Sequence, residues 1–174
     1  DTGTIIINGG SVTAKLENSN GGYGSGAAAI GSSAGKSVKL IQINGGTVTA
    51  ATNGRGAGIG TGVASANDRN GTIVINGGTI EATSNQGAGI GSGVGISKTV
   101  SVEERTKTRI EIHGGMIIAG SFRGASIGSG NAGGSRVMID GGTIGLKESK
   151  ADKNKCADIG KGEDNYSYTP TSVI

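Results

Sequence analysis

The residues in this chain best suited to acid–base chemistry are its single histidine, His113, and an aspartate, Asp140, at the matching place in the next repeat. A histidine bonded to a carboxylate can move a proton, but hydrolysis by such a pair also needs a placed nucleophile. Elsewhere the same place is filled by asparagine, at Asn8, Asn44 and Asn76. A structural reading therefore outranks a catalytic one: Asn8, Asn44, Asn76, His113 and Asp140 form one corner ladder, and no residue is assigned a catalytic role. Amides stacked this way can bond both backbone and one another. Glu81 and Glu111 are the other acid candidates, but their outward positions belong to different strands, which argues against a paired general acid and base.

A second set recurs two residues before a repeated alanine: Arg55, Gln86, Arg123 and Lys155. Arginine and glutamine hydrogen-bond sugar hydroxyls, and the positive members pair with carboxylates or sulfates. Phe122 is the one aromatic residue beside this set. Arg55, Gln86, Arg123, Lys155 and Phe122 are the candidate ligand-binding row, with a solvated polar file as its plain alternative. Arg105, Lys107 and Arg109 form a local basic cluster beside Glu103 and Glu104, and read as a solvated loop. No metal ligands are assigned and no cofactor is expected.

The elements that must position these residues form a repeat. Five first strands read Ile5-Ile6-Ile7, Ile41-Gln42-Ile43, Ile73-Val74-Ile75, Ile110-Glu111-Ile112 and Val137-Met138-Ile139. Each runs into a corner made of Asn, His or Asp followed by Gly-Gly, with spacings of 36, 32, 37 and 27 residues. Second strands follow, centred on Val12, Val48, Ile80, Ile117 and Ile144. A third element carries Ala28/Ile30, Ala57/Ile59, Ala88/Ile90, Ala125/Ile127 and Ala157/Ile159, each isoleucine followed by glycine. Alternation within the strands places Gln42 and Glu111 outward between inward aliphatics. One unit cannot bury its apolar face alone, whereas five stacked units make a continuous column. An antiparallel meander, the competitor suggested by Asn-Gly, does not require one three-part unit to recur in one order. The fold class is therefore all-β: a right-handed parallel β-helix, or single-stranded β-solenoid, of about five rungs. Residues 1–165 are expected to form one domain, and 166–174 a tail or linker.

These stacked units resemble the right-handed parallel β-helix of the pectate-lyase-like superfamily, including its internal asparagine ladder. The phrases Ile-Asn-Gly-Gly-Thr-Val-Thr-Ala (residues 43–50) and Gly-Ala-Gly-Ile-Gly (residues 56–60 and 87–91) more closely resemble glycine-rich repeats of large bacterial surface proteins described as carbohydrate-binding or adhesin-like. The resemblance spans residues 3–162. It implies a secreted or cell-surface, non-catalytic, adhesin-like module whose partner is a glycan or a host surface protein, within a larger multidomain chain. Relatives also include polysaccharide lyases and glycoside hydrolases, whose sites use carboxylates, basic residues and sometimes calcium. No complete set of that kind is matched, so an enzyme fragment and a passive structural spacer stand as the alternatives.

Composition narrows the classes further. The 174 residues include 37 glycines and one proline, no tryptophan and 2% aromatics, and glycine without a three-residue period excludes collagen. The formal charge of +3, from 16 basic and 13 acidic residues, is scattered, so no nucleic-acid partner is expected. No apolar run approaches a membrane span, and no membrane insertion is expected. Cys156 is the only cysteine and is read as a small packed residue. The isolated domain is expected to be a monomer.

Overall fold

A computed structural model describes residues 3–17, 26–63, 71–95, 108–147 and 156–162. Short strands follow the chain in threes. Rung 1 contains β1 (Gly3–Ile7), β2 (Ser11–Leu16) and β3 (Ile30–Gly31). Rung 2 contains β4 (Val38–Ile43), β5 (Thr47–Thr52) and β6 (Ile59–Gly60). Rung 3 is built from β7 (Gly71–Ile75), β8 (Thr79–Ser84) and β9 (Ile90–Ser92). Rung 4 is built from β10 (Thr108–Ile112), β11 (Met116–Ser121) and β12 (Ile127–Ser129). Rung 5 is built from β13 (Ser135–Ile139), β14 (Thr143–Lys147) and β15 (Ile159–Gly160).

Each strand pairs only with its equivalents above and below, giving three five-stranded sheets in the orders β1-β4-β7-β10-β13, β2-β5-β8-β11-β14 and β3-β6-β9-β12-β15. Every pairing is parallel, which excludes the meander. Parallel strands joined in sequence coil right-handed. The fold is the right-handed parallel β-helix of five rungs that the repeat predicts. The expected tail at 166–174 lies outside the described residues.

Register keeps like over like. Ile5 stacks on Ile41, Ile41 on Ile73, Ile73 on Ile110 and Ile110 on Val137. The interior thus receives the same four large side chains from each central rung. These are Ile41, Ile43, Val48 and Ile59; then Ile73, Ile75, Ile80 and Ile90; then Ile110, Ile112, Ile117 and Ile127, all fully buried. Burying one such side chain contributes on the order of 2 kcal/mol. Ala50, Ala82 and Ala119 fill the narrower part of the column and are equally buried.

Two glycine columns permit this stacking. Gly31, Gly60, Gly91 and Gly128 have φ between 138° and 142°, a region that L side chains rarely adopt. A Cβ at any of them would overlap the carbonyl oxygen of the matching glycine in the next rung. Those carbonyls belong to the rung-to-rung bonding itself: Gly60 O accepts from Ser32 N at 3.1 Å and Gly91 O from Thr61 N at 3.0 Å. At the first corner, a Cβ on Gly46, Gly78, Gly115 or Gly142 would lie 2.5–2.8 Å from a carbonyl of the preceding rung.

Gly91→Ala is therefore expected to destabilise the coil by about 2–4 kcal/mol, through clash and backbone strain. Gly9 has no positive φ and no atom within 4 Å of an added Cβ, so Gly9→Ala is expected to stay within about 0.5 kcal/mol of wild type. Urea unfolding of both variants, followed by circular dichroism, checks the contrast.

Candidate functional site

The corner after the first strand is tied from rung to rung by backbone bonds: Asn44 N to Ile7 O at 2.7 Å, Asn76 N to Ile43 O at 2.8 Å, His113 N to Ile75 O at 2.8 Å and Asp140 N to Ile112 O at 3.0 Å. This brings the five predicted ladder residues into one file. Asn44 Nδ2 donates to Asn8 Oδ1 and Asn76 Nδ2 donates to Asn44 Oδ1, both at 2.7 Å. Gln42 Nε2 adds a third bond to Asn44 Oδ1, at 2.9 Å. His113 Nδ1 and Asp140 Oδ1 lie 2.7 Å apart. The side-chain file is bonded in two segments, because no hydrogen bond joins Asn76 to His113 among the described residues.

One expectation is corrected here. The family resemblance implies an internal asparagine ladder, whereas Asn8, Asn44, Asn76, His113 and Asp140 are all exposed. The physical reason is the alternation within each first strand. Ile43, Ile75 and Ile112 point inward immediately before the corner, so the following residue turns out.

His113 Nε2 also lies 3.5 Å from Glu111 Oε2, and Glu111 is itself paired with Arg109. The Asp140 hydrogen bond, helped by the charges of Asp140 and Glu111, raises the His113 pKa above its ordinary 6.5, although desolvation opposes the shift. Glu81, on the second side, pairs with Lys147, whose side chain crosses rung 4 over Gly120 to reach it. The two outward glutamates therefore sit on different sides of the coil, and each is held by a basic partner. Sequence reasoning missed both ion pairs: Arg109 and Glu111 stand two residues apart on one face of β10, whereas Glu81 and Lys147, 66 residues apart, become neighbours only through the register.

The candidate binding row lies at the turn between the second and third sides. Gln86 N donates to Gly54 O at 3.1 Å and Arg123 N to Asn85 O at 2.8 Å, which sets Gln86 over Arg55 and Arg123 over Gln86. Hydroxyls at the ends of the second strands pin this turn. Ser84 Oγ donates to Gly56 O and Ser121 Oγ to Gly87 O, both at 2.7 Å. Gly54 N donates to Thr52 Oγ1 at 3.0 Å and Gly124 N to Ser121 Oγ at 2.8 Å. These hydroxyls went unread in the sequence, although Thr52, Ser84 and Ser121 share one register position.

Arg55, Gln86 and Arg123 are half-buried, and Phe122 beside them is exposed. Arg55 Nε is shielded from solvent and has no hydrogen-bond partner among the described residues. Cys156 Sγ donates to Arg123 O at 3.3 Å and so helps seat the row. Lys155 lies outside the described residues, as do Arg105 and Lys107. Among the described residues no group of three or more His, Cys, Asp or Glu is placed to hold a metal ion. No helix among them is long and apolar enough to cross a membrane.

Comparison with known proteins points the same way on architecture. Residues 41–63, 73–94 and 110–131 match a family model described as a beta helix repeat, one segment for each central rung. No curated protein and no solved structure matches the chain significantly. The class reached by fold and repeat together is a parallel β-helix repeat protein.

Two outcomes follow from the corner file. Asn44→Ala removes the residue that bonds to both neighbouring rungs, and is expected to cost about 0.5–1.5 kcal/mol in urea unfolding, more than Asn8→Ala. For His113 the folded-state pKa is raised, so the protonated form is the one stabilised by folding. Its contribution is complete below pH 6.5 and is lost as pH rises through the raised folded-state value. Unfolding midpoints measured against pH are expected to show that decline in wild type and not in His113→Asn.

Proposed function

We propose that the chain is a non-catalytic β-helical module of a secreted or surface-displayed protein, presenting the Arg55–Gln86–Arg123 row to carbohydrate. The observation that carries this reading is the alignment of three hydrogen-bonding side chains on consecutive rungs, one of which holds a shielded, unpartnered donor at Arg55 Nε. A buried donor without an acceptor costs about 1–3 kcal/mol, and a bound hydroxyl or acid group would relieve that cost. Successive strands stand about 4.8 Å apart, so the two arginines, two rungs from each other, are separated by about 10 Å. That separation suits an extended glycan bearing acid groups on alternate sugars, with Gln86 between them to take a hydroxyl. Phe122 supplies an apolar edge for a sugar face beside Arg123. In this reading the chain takes part in adhesion, and Glu81 and Glu111 serve as surface ion pairs rather than as an acid–base couple.

A passive spacer is the second reading. It is favoured by the corner file, in which Asn8, Asn44 and Asn76 bond to one another and His113 bonds to Asp140 without any ligand.

A glycan array probed with the folded chain, with and without calcium, tests the proposal. Selective binding of acidic glycans is expected, with at least a tenfold loss in Arg55→Ala/Arg123→Ala. Silence across neutral and acidic glycans, with the fold verified by circular dichroism, would leave the spacer reading in its place.

A further inference from the structure

Asparagine followed by glycine is the sequence at which a polypeptide most readily modifies itself, because a glycine carries no Cβ to hinder attack by its amide nitrogen. The corners of rungs 2 and 3 offer two such pairs in the same local setting. Residues 43–47 and 75–79 both read Ile-Asn-Gly-Gly-Thr, and both asparagines are exposed. Any difference in reactivity between Asn44 and Asn76 therefore comes from the fold. A third described pair beyond rung 1, Asn53-Gly54, stands at the turn after the second side.

The reaction needs a free glycine nitrogen and an asparagine side chain able to swing its Cγ toward it. Gly54 N is occupied, since it donates to Thr52 Oγ1 at 3.0 Å. Gly45 N and Gly77 N donate no hydrogen bond among the described residues, so at the corners the side chain decides. Asn44 is held by three bonds: Nδ2 donates to Asn8 Oδ1, and Oδ1 accepts from both Asn76 Nδ2 and Gln42 Nε2. Asn76 is held by one, from its Nδ2, and its Oδ1 accepts none among the described residues.

The cause lies one rung further on. Where Asn44 has an amide in the next corner to bond its carbonyl, Asn76 has His113. That ring directs Nδ1 to Asp140 at 2.7 Å and Nε2 toward Glu111 at 3.5 Å, which leaves neither nitrogen for Asn76. The break in the file thus falls on the side chain that most needs a partner to stay unreactive.

We infer that Asn76-Gly77 is a self-modification site, where deamidation converts a neutral link of the corner file into a carboxylate beside His113. Gly77 N bonds to Asn76 Cγ while the bond from Cγ to Nδ2 breaks, and the proton released by Gly77 N leaves with the amide as ammonia. Water then opens the cyclic imide at either carbonyl, giving aspartate or isoaspartate. Water is consumed and ammonia released, with no oxidation or reduction. The product can no longer donate to Asn44 Oδ1, so the 2.7 Å bond to rung 2 is lost. In exchange a carboxylate stands one strand spacing, about 4.8 Å, from the place of His113. It joins Asp140 and Glu111 around that imidazole, with Arg109, paired to Glu111, and Arg136, beside Arg109 in register, as the cations of the same side.

The test incubates the full folded chain at neutral pH and follows the gain of one mass unit at each asparagine by peptide mass spectrometry. Fragment spectra separate Asn76 from Asn70, which shares its tryptic peptide. Asn76 is expected to convert at least about fivefold faster than Asn44, which two further side-chain hydrogen bonds restrain. In urea the two are expected to convert at one rate, as their identical surroundings in sequence require. His113→Asn supplies an amide able to donate to Asn76 Oδ1, and is expected to slow Asn76 to the pace of Asn44 without changing Asn53. His113→Ala removes the ring but supplies no donor, and is expected to give no such protection. Asn76→Asp reproduces the product, and nuclear magnetic resonance is expected to show His113 titrating at higher pH in it than in wild type. Circular dichroism verifies the fold of each variant. Equal rates at Asn44 and Asn76 in the folded chain would overturn the inference. So would an undiminished rate in His113→Asn, or a His113 titration indifferent to Asn76→Asp.

Discussion

Every residue of this coil must sit over its equivalent at the spacing of one β-strand, and the other features of the molecule are consequences of that requirement. A spacing of about 4.8 Å leaves no room for a side chain wherever the backbones of neighbouring rungs meet face on. The column Gly31, Gly60, Gly91 and Gly128 occupies such a place, with each Cβ site filled by the carbonyl of the next glycine. The same carbonyl accepts a hydrogen bond from the preceding rung, so the close approach and the bonding cannot be separated. Side chains inside the coil are held to one size class within each central column, since each packs on an equivalent of similar volume: Ile41 on Ile73, Val48 on Ile80, Ala50 on Ala82. That is why isoleucine recurs at Ile73, Ile75, Ile80 and Ile90 and again at Ile110, Ile112, Ile117 and Ile127.

This regularity made the architecture readable from sequence. The first strand, the Gly-Gly corner, the second strand and the Ala-x-Ile-Gly element recur in fixed order, and each recurrence reports the same packed environment. The candidate row was legible for the same reason, as Arg55, Gln86 and Arg123 keep a constant offset from a buried alanine. Less legible was the side of the wall on which a corner residue stands. Alternation within a strand predicts facing, but a corner interrupts it. The orientation of Asn44 emerges only once Ile43 is known to be the last inward residue. Contacts between long side chains on different rungs were also hidden. Lys147 reaches Glu81 because Gly120, between them, has no side chain in the way.

The corner file shows how much variation the stacking constraint permits. Asparagine suits the position because one side chain offers both a donor and an acceptor, so a run of them can bond in one direction indefinitely. A neutral histidine also offers one of each, and a carboxylate offers acceptors alone. Replacing Asn with His113 and then Asp140 keeps a bond at 2.7 Å between those two rungs while making it dependent on protonation.

Freedom to acquire function is therefore distributed unevenly. Inward positions are held by packing and glycine positions by backbone overlap, so neither can be given over to a ligand without loss of the rung. Outward positions carry few such demands, and there the residue types diverge: Ile6, Gln42, Val74, Glu111 and Met138 share one column. The turn at Arg55, Gln86 and Arg123 is an intermediate case, since hydroxyls from Thr52, Ser84 and Ser121 anchor its backbone while its side chains remain free to differ. A rigid backbone carrying variable, half-buried polar groups loses little conformational freedom on binding, which is the property a recognition surface needs. What the side of the coil can bind is thus decided by the residues that the repeat leaves unconstrained.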